Sequence, residues 1–188
     1  MVTLNLASIK LNTEDFQELC YNNPSLKLEL TATGNLVVMT PTGGESGIRN
    51  SWLTTQLTLW ARQNGTGVVF DSSTMFQLAC GSFRSPDAAW ISLTHWNLLT
   101  AAQKRTFPPI CPDLVIELRS PSDSLQELRD KMKEYQDNGA VLGWLIDPTS
   151  KIVEIYRQGK SPELLNHPSQ LFGEDLLINF VLDLEGIL

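Results

Sequence analysis

Three acids and a base stand where an apolar sequence should not carry them. In "CPDLVIELRSPSDS", residues 111–124, Asp113, Glu117 and Arg119 interrupt a run that otherwise reads as a buried strand. In "SPDAAWI", Asp87 opens a second apolar strand. Side chains alternate along a strand, so Asp113, Val115, Glu117 and Arg119 share one face and Leu114, Ile116 and Leu118 the other. An ionised carboxylate is costly to bury alone, so Glu117 needs a cation, a metal or strong donors. Arg119 is the local candidate, and a structural Glu117–Arg119 pair accounts for those two residues as well as a functional role does. Asp87 shifts the balance. Two carboxylates from adjacent strands, meeting at one sheet end, suit a hard divalent cation such as Mg²⁺, which takes oxygen ligands and often only one or two carboxylates. Such an ion lowers the pKa of a bound water and stabilises charge at a phosphate. The bland account of Asp87 is a turn acid after proline.

A lysine follows. Ser120-Pro121 stops the strand, and Ser124-Leu-Gln-Glu127 has the spacing of a capping box opening a helix that runs to Asn138-Gly139. Leu125, Leu128, Met132 and Tyr135 form its apolar stripe. Lys131 lies on the flank of that stripe, while Lys133 points further out. By laying its stem along apolar surface, Lys131 could reach over the sheet end toward Glu117. A solvated lysine is the commoner fate.

The elements that must position these groups follow from periodicity. Thr13-Glu14-Asp15 opens a short helix ending before Asn22-Asn23-Pro24. "LKLELTATGNLVVMT" is a hairpin turning at Gly34-Asn35. After the glycine loop "PTGGES", helical spacing through Ile48, Trp52, Leu53, Leu57 and Trp60 runs to Gln63, and Asn64-Gly65 ends it. "GVVF", "TMFQLA" and "SPDAAWIS" read as strands, with helical pieces between Thr94 and Arg105. "DLVIELR" is apolar on both faces and therefore central. Passing from it through the helix at 124–138 to "GWLID" makes a strand–helix–strand unit with a parallel pair. "VLGWLIDP" and "KIVEIYR" are strands joined at Asp147-Pro-Thr-Ser, and a mixed tail ends in "NFVLDLEGIL". The expectation is a single α/β domain over residues 1–188 on a central mixed sheet flanked by helices, preceded by an N-terminal helix and hairpin.

The 188 residues, 42% of them hydrophobic, suffice for one domain with a real core. No apolar run approaches a membrane span, and the N-terminal residues lack the apolar block of a signal peptide. Cys20, Cys80 and Cys111, widely spaced and without CxxC, read as free, mostly buried thiols in a reducing cytoplasm. With only two histidines, His95 and His167, a zinc or iron–sulfur site has no support. The five tryptophans, at 52, 60, 90, 96 and 144, are mostly at core spacing. No GxSxG, P-loop, GxGxxG or HExxH is present, so serine-hydrolase, NTPase, dinucleotide and zincin readings fall away. The net charge of −7 weighs against broad, non-specific nucleic-acid binding.

Together these residues resemble the PD-(D/E)xK superfamily of restriction-endonuclease-like nucleases. Ser85-Pro86-Asp87 matches the "PD" half, and Val115-Ile116-Glu117-Leu118-Arg119 stands where "(D/E)xK" belongs. Within it the chain is most similar to the Uma-type endonuclease family, through "MTPTGGESG", "RSPDAAWIS", "CPDLVIELRSPSDSL", "KMKEYQDNGAVLGWLIDP" and "VEIYR", which cover most of its length. The resemblance implies phosphodiester hydrolysis in DNA with Mg²⁺ or Mn²⁺, Asp87 and Glu117 as metal ligands, and a lysine that orients or activates water and stabilises developing charge. Arg119 stands where the superfamily has lysine. Arginine stays protonated and cannot act as a base, and Lys131 is the position that looks like the displaced lysine. Glu29 on the hairpin and Glu45 at the mouth of the long helix are candidates for a further acid, and Asp113 for a third ligand or a local pair. Arg84, Arg119, Arg129 and Lys131 could supply positive charge. A second reading keeps the fold without catalysis, as a binding or assembly module such as a homodimer.

Overall fold

A computed structural model describes residues 2–4 and 11–188; part of the N-terminal stretch that argues against a signal peptide lies outside them. In chain order the elements are β1 (Val2–Leu4), α1 (Thr13–Asn22), β2 (Lys27–Leu30), β3 (Leu36–Met39), α2 (Gly44–Asn64), β4 (Gly67–Asp71), β5 (Phe76–Gln77), β6 (Phe83–Arg84) and β7 (Ala88–Ser92). Then come α3 (Leu93–Trp96), α4 (Ala101–Arg105), β8 (Leu114–Leu118), α5 (Leu125–Asp137), β9 (Leu142–Asp147), β10 (Ile152–Arg157), β11 (Glu163–Asn166), β12 (Gln170–Phe172) and β13 (Val181–Asp183).

The larger sheet runs β11-β10-β9-β8-β7-β4. Only β8 and β9 pair in parallel, and α5 is the crossover such a pair requires. The expected mixed sheet therefore forms, with "LVIEL" at its centre and buried on both faces. Leu114, Ile116 and Leu118 pack with Leu53, Leu57 and Ala61 of α2. Val115, Ala89 and Ile91 pack on the other face with Leu128, Met132 and Tyr135 of α5. Each helix presents residues three or four apart to the sheet; α5 is polar on its outer side, whereas α2 also exposes Ile48, Trp52 and Leu59.

A smaller sheet runs β1-β3-β2-β6-β5. Leu28 and Leu30 of β2 pack with Phe16 of α1 and Phe83 of β6. The expected strand "TMFQLA" shrinks to Phe76–Gln77, and β1 adds to β3 beyond the expected hairpin. Local sequence differs from expectation at three further points. Asn12 rather than Thr13 caps α1, in a full capping box with Asp15. Trp52 is exposed, so the packing role fits Trp90 and Trp144 but not this residue. All three cysteines are free, but Cys80 is exposed.

Candidate active site

The register of the large sheet sets up the site. Ala88 pairs with Ile116 in the antiparallel β7–β8 ladder, and one further step of that register sets Asp87 opposite Glu117. Asp87 bends back onto the partner strand: the Leu118 N–H donates to its Oδ2 at 2.8 Å. Asn50 of α2 donates to its Oδ1 at 3.4 Å. Glu117 faces α5, where Lys131 and Tyr135 lie one turn apart.

Lys131 meets Glu117 Oε1 at 2.8 Å, Glu29 Oε1 at 2.9 Å and the Ser85 carbonyl at 3.1 Å. The contacts with Glu29 and Ser85 are hydrogen bonds, and the contact with Glu117 is a close ion pair. The Tyr135 hydroxyl donates to Glu117 Oε1 at 3.2 Å. Glu29 is saturated: its Oε1 also accepts from the Ser85 N–H at 2.8 Å, and its Oε2 meets Arg84 at 3.2 Å. Arg84 completes the group by a fork onto Glu134 at 2.8 and 2.7 Å. Glu29, Glu117, Lys131 and Arg84 are at most 7% exposed.

Charge does not balance in this cluster. Four carboxylates, Asp87, Glu117, Glu29 and Glu134, face two protein cations, Lys131 and Arg84. The titration behaviour follows. Burial pushes the Glu117 carboxyl up to about 8; Lys131 opposes the rise, and Asp87 and Glu29 add to it. Burial also raises Asp87, against the Leu118 N–H and Lys131. Burial would lift Glu29 as well, but Lys131 and Arg84 outweigh it and hold it low. Lys131 moves upward, because Glu117 and Glu29 overcome the desolvation that would lower it. Asp87 and Glu117 are therefore the two surplus carboxyls, the ones that hold their protons more tightly than usual, and Lys131 stays an ammonium.

These groups open onto a cavity of about 1170 Å³. Its walls include the β2–β3 hairpin, the glycine loop before α2, and the loop from Ser120 to Asp123. The donor set facing it is all hard oxygen, and the charge deficit equals that of one divalent cation, so the residues fit such an ion. Among the described residues no group of three or more His, Cys, Asp or Glu is arranged to hold a metal, so the protein's acidic share would be the two carboxylates.

The candidate residues divide clearly. Asp87, Glu117, Lys131 and Glu29 come together in the cavity. Glu45 stands at its mouth, largely exposed and paired with Arg49 at 3.3 Å. Asp113 lies at the other end of β8, where it accepts from the Ser92 N–H at 2.8 Å and meets His95 Nδ1 at 2.7 Å. Arg119 does not pair with Glu117: the strand ends at Leu118, and the guanidinium turns to Asp147 at 2.7 Å. Arg129 pairs with Glu154 at 2.6 Å, outside the cavity. Sequence reasoning missed Glu134, the Tyr135 hydroxyl and Asn50. The first two follow Lys131 at helical spacings of three and four residues, a signal hidden because Tyr135 also belongs to the apolar stripe. Asn50 carried no local signal.

Comparison with solved structures brings out a protein titled as a putative nuclease belonging to DUF820 from Anabaena variabilis ATCC 29413. The two share 17% sequence identity, with a TM-score of 0.79 over 94% of this chain and 97% of the other. At that identity the likeness is one of fold, and it extends to nearly every element described above. No curated protein matches the chain significantly. A family model described as "Putative restriction endonuclease" matches residues 13–185, a span holding both halves of the sheet-end cluster as well as the helices that carry its lysine and asparagine, and on that match the chain belongs to the Uma2 family.

Proposed function

We propose that this protein is a divalent-cation-dependent endonuclease that hydrolyses phosphodiester bonds in DNA. The single observation carrying the proposal is the cluster of Asp87, Glu117, Glu29 and Glu134 around Lys131 and Arg84, with two more carboxyls than cations, at the wall of a cavity. Asp87 and Glu117 would hold Mg²⁺ or Mn²⁺. When bound, the cation supplies Lewis-acid stabilisation of phosphoryl oxygens and makes water acidic enough to attack at neutral pH.

The chain's own residues have separable tasks. Lys131 remains protonated, so its task is to stabilise charge developing on the phosphate rather than to accept a proton. Glu29 fixes the lysine: its carboxylate is already shared among Lys131, Arg84 and the Ser85 N–H, so it positions the ammonium instead of ligating. Tyr135 orients Glu117 through Oε1, leaving Oε2 without a hydrogen-bond partner among the described residues. Arg119, committed to Asp147, takes no part.

The test is cleavage of single- and double-stranded DNA by purified protein with Mg²⁺ or Mn²⁺, beside Asp87→Ala and Glu117→Ala. Cleavage lost in both variants and in chelator is the expected result. Activity unchanged in both would trace it to a contaminant, and no cleavage together with no cation binding in calorimetry would leave a nuclease-fold binding module.

A further inference from the structure

Asn50 reaches the site from α2, the helix on the sheet face opposite α5. Its Nδ2 donates to Asp87 Oδ1, while its Oδ1 is shielded from bulk water and has no partner among the described residues. Among the described residues, the two other side-chain atoms in that condition are the indole nitrogens of Trp90 and Trp144, inside the apolar core. Asn50 differs from them in lining the cavity. A buried amide oxygen without a donor is costly, and such a group is an expected vacancy for a ligand. Turning the amide over does not remove the problem: it would set Oδ1 against the Asp87 carboxylate and strand the NH₂ instead.

An asparagine carbonyl is one of the hard oxygens that divalent cations accept. Asp87 is one of the two carboxyls in excess of the cluster's cations and is the group that Asn50 touches, at 3.4 Å. We propose that Asn50 belongs to the cation site, holding Asp87 through its NH₂ and presenting its amide oxygen to the ion. This inference rests on the cation-dependent reading above. It makes α2 a structural part of the centre and gives the cation three protein oxygens from three elements, where the carboxylates alone give two.

Calorimetric titration with Mn²⁺ alone tests it, on the wild type, Asp87→Ala, Asn50→Leu and Asn50→Asp, with thermal unfolding of each metal-free protein alongside. The wild type binds Mn²⁺ and Asp87→Ala does not. Asn50→Leu weakens binding by about tenfold or more, within the range for residues that support a metal site. Its metal-free melting temperature stays near wild type, because removing the unpartnered oxygen offsets the loss of the long hydrogen bond to Asp87. Asn50→Asp binds Mn²⁺ more tightly than wild type, but melts lower without metal, because a second carboxylate then faces Asp87. If Asn50→Leu proves unstable, the gain in Asn50→Asp still decides the matter. Wild-type affinity in Asn50→Leu, with binding abolished in Asp87→Ala, overturns the role of Asn50 and leaves the cation reading intact. Weakened DNA binding with unchanged Mn²⁺ affinity overturns it too, by giving the amide to the substrate. Absence of Mn²⁺ binding in the wild type overturns the cation reading itself.

Discussion

Glu117 shows how a single residue can set pH behaviour. It is buried, it is held by one shared ammonium, and its carboxyl titrates near 8. The unfolded chain loses that proton in the ordinary carboxylate range, so between about pH 5 and 8 the native state binds more protons than the unfolded state. Stability of the metal-free protein therefore falls as pH rises through this window, and Glu117→Gln flattens the fall; urea unfolding at a series of pH values measures both. A cation competes with the same proton. Mn²⁺ affinity should rise about tenfold per pH unit below 8 and level off above it, with Asp87 steepening the slope at lower pH. A flat profile from pH 6 to 8 would show that Glu117 is already ionised without metal. Glu29 makes a complementary prediction. Glu29→Gln leaves Arg84 and Lys131 under-compensated in a buried site, so it costs on the order of 3–5 kcal/mol in chemical denaturation, the range for breaking a buried ion pair by removing one partner.

At the scale of elements, helix α5 carries the lysine, and its start is set by Ser124, whose hydroxyl accepts from the Glu127 N–H. Ser124→Ala should lower stability by about 1 kcal/mol with little effect on activity at a temperature where the protein stays folded. Strand β7, which delivers Asp87, packs against its neighbour through a gap that only glycine can fill. A Cβ on Gly67 of β4 would sit inside the Trp90 indole, where a rigid ring cannot yield. Gly67→Ala is expected to cost about 1–3 kcal/mol, seen as a lower urea midpoint with unchanged slope. These elements were largely legible in the sequence, because their signals are local. Alternation and apolar content mark β8, a 3.6-residue stripe marks α5, and Gly65, in the left-handed conformation, ends α2. Pairings between distant segments were not legible. Glu29 and Arg84 meet because β2 and β6 join through a single register pair, Leu30 with Phe83, which leaves no periodicity to read. Arg119 looked like the partner of Glu117 by strand alternation. The alternation stopped mattering once the strand ended at Leu118 and the backbone turned the guanidinium toward Asp147.

For the whole molecule, the question is how a chain of net charge −7 would hold a polyanion. The cavity does not reverse that sign: eight carboxylates and four basic side chains line it, and Arg84 and Lys131 are already consumed by buried acids. Phosphate contacts from lysine and arginine normally supply non-specific affinity, with a logarithmic salt slope of about −0.9 per phosphate neutralised. Here little of that attraction is available, so the cation must carry the first interaction with the backbone. In chelator, binding of a fluorescently labelled DNA should be weaker than roughly 10⁻⁴ M at ordinary ionic strength, the weak end of the non-specific range. Ca²⁺, which takes the same oxygen ligands, should restore binding in anisotropy measurements. At fixed Ca²⁺ the KCl dependence should then be shallow, with a slope near −2 to −3, corresponding to about two or three phosphates. Asp87→Ala should remove the Ca²⁺ effect and leave the chelator baseline unchanged. Tight binding in chelator with a steep salt slope would place the DNA on a basic surface away from the cavity, and the acidic cleft would then be the wrong place to look for the substrate.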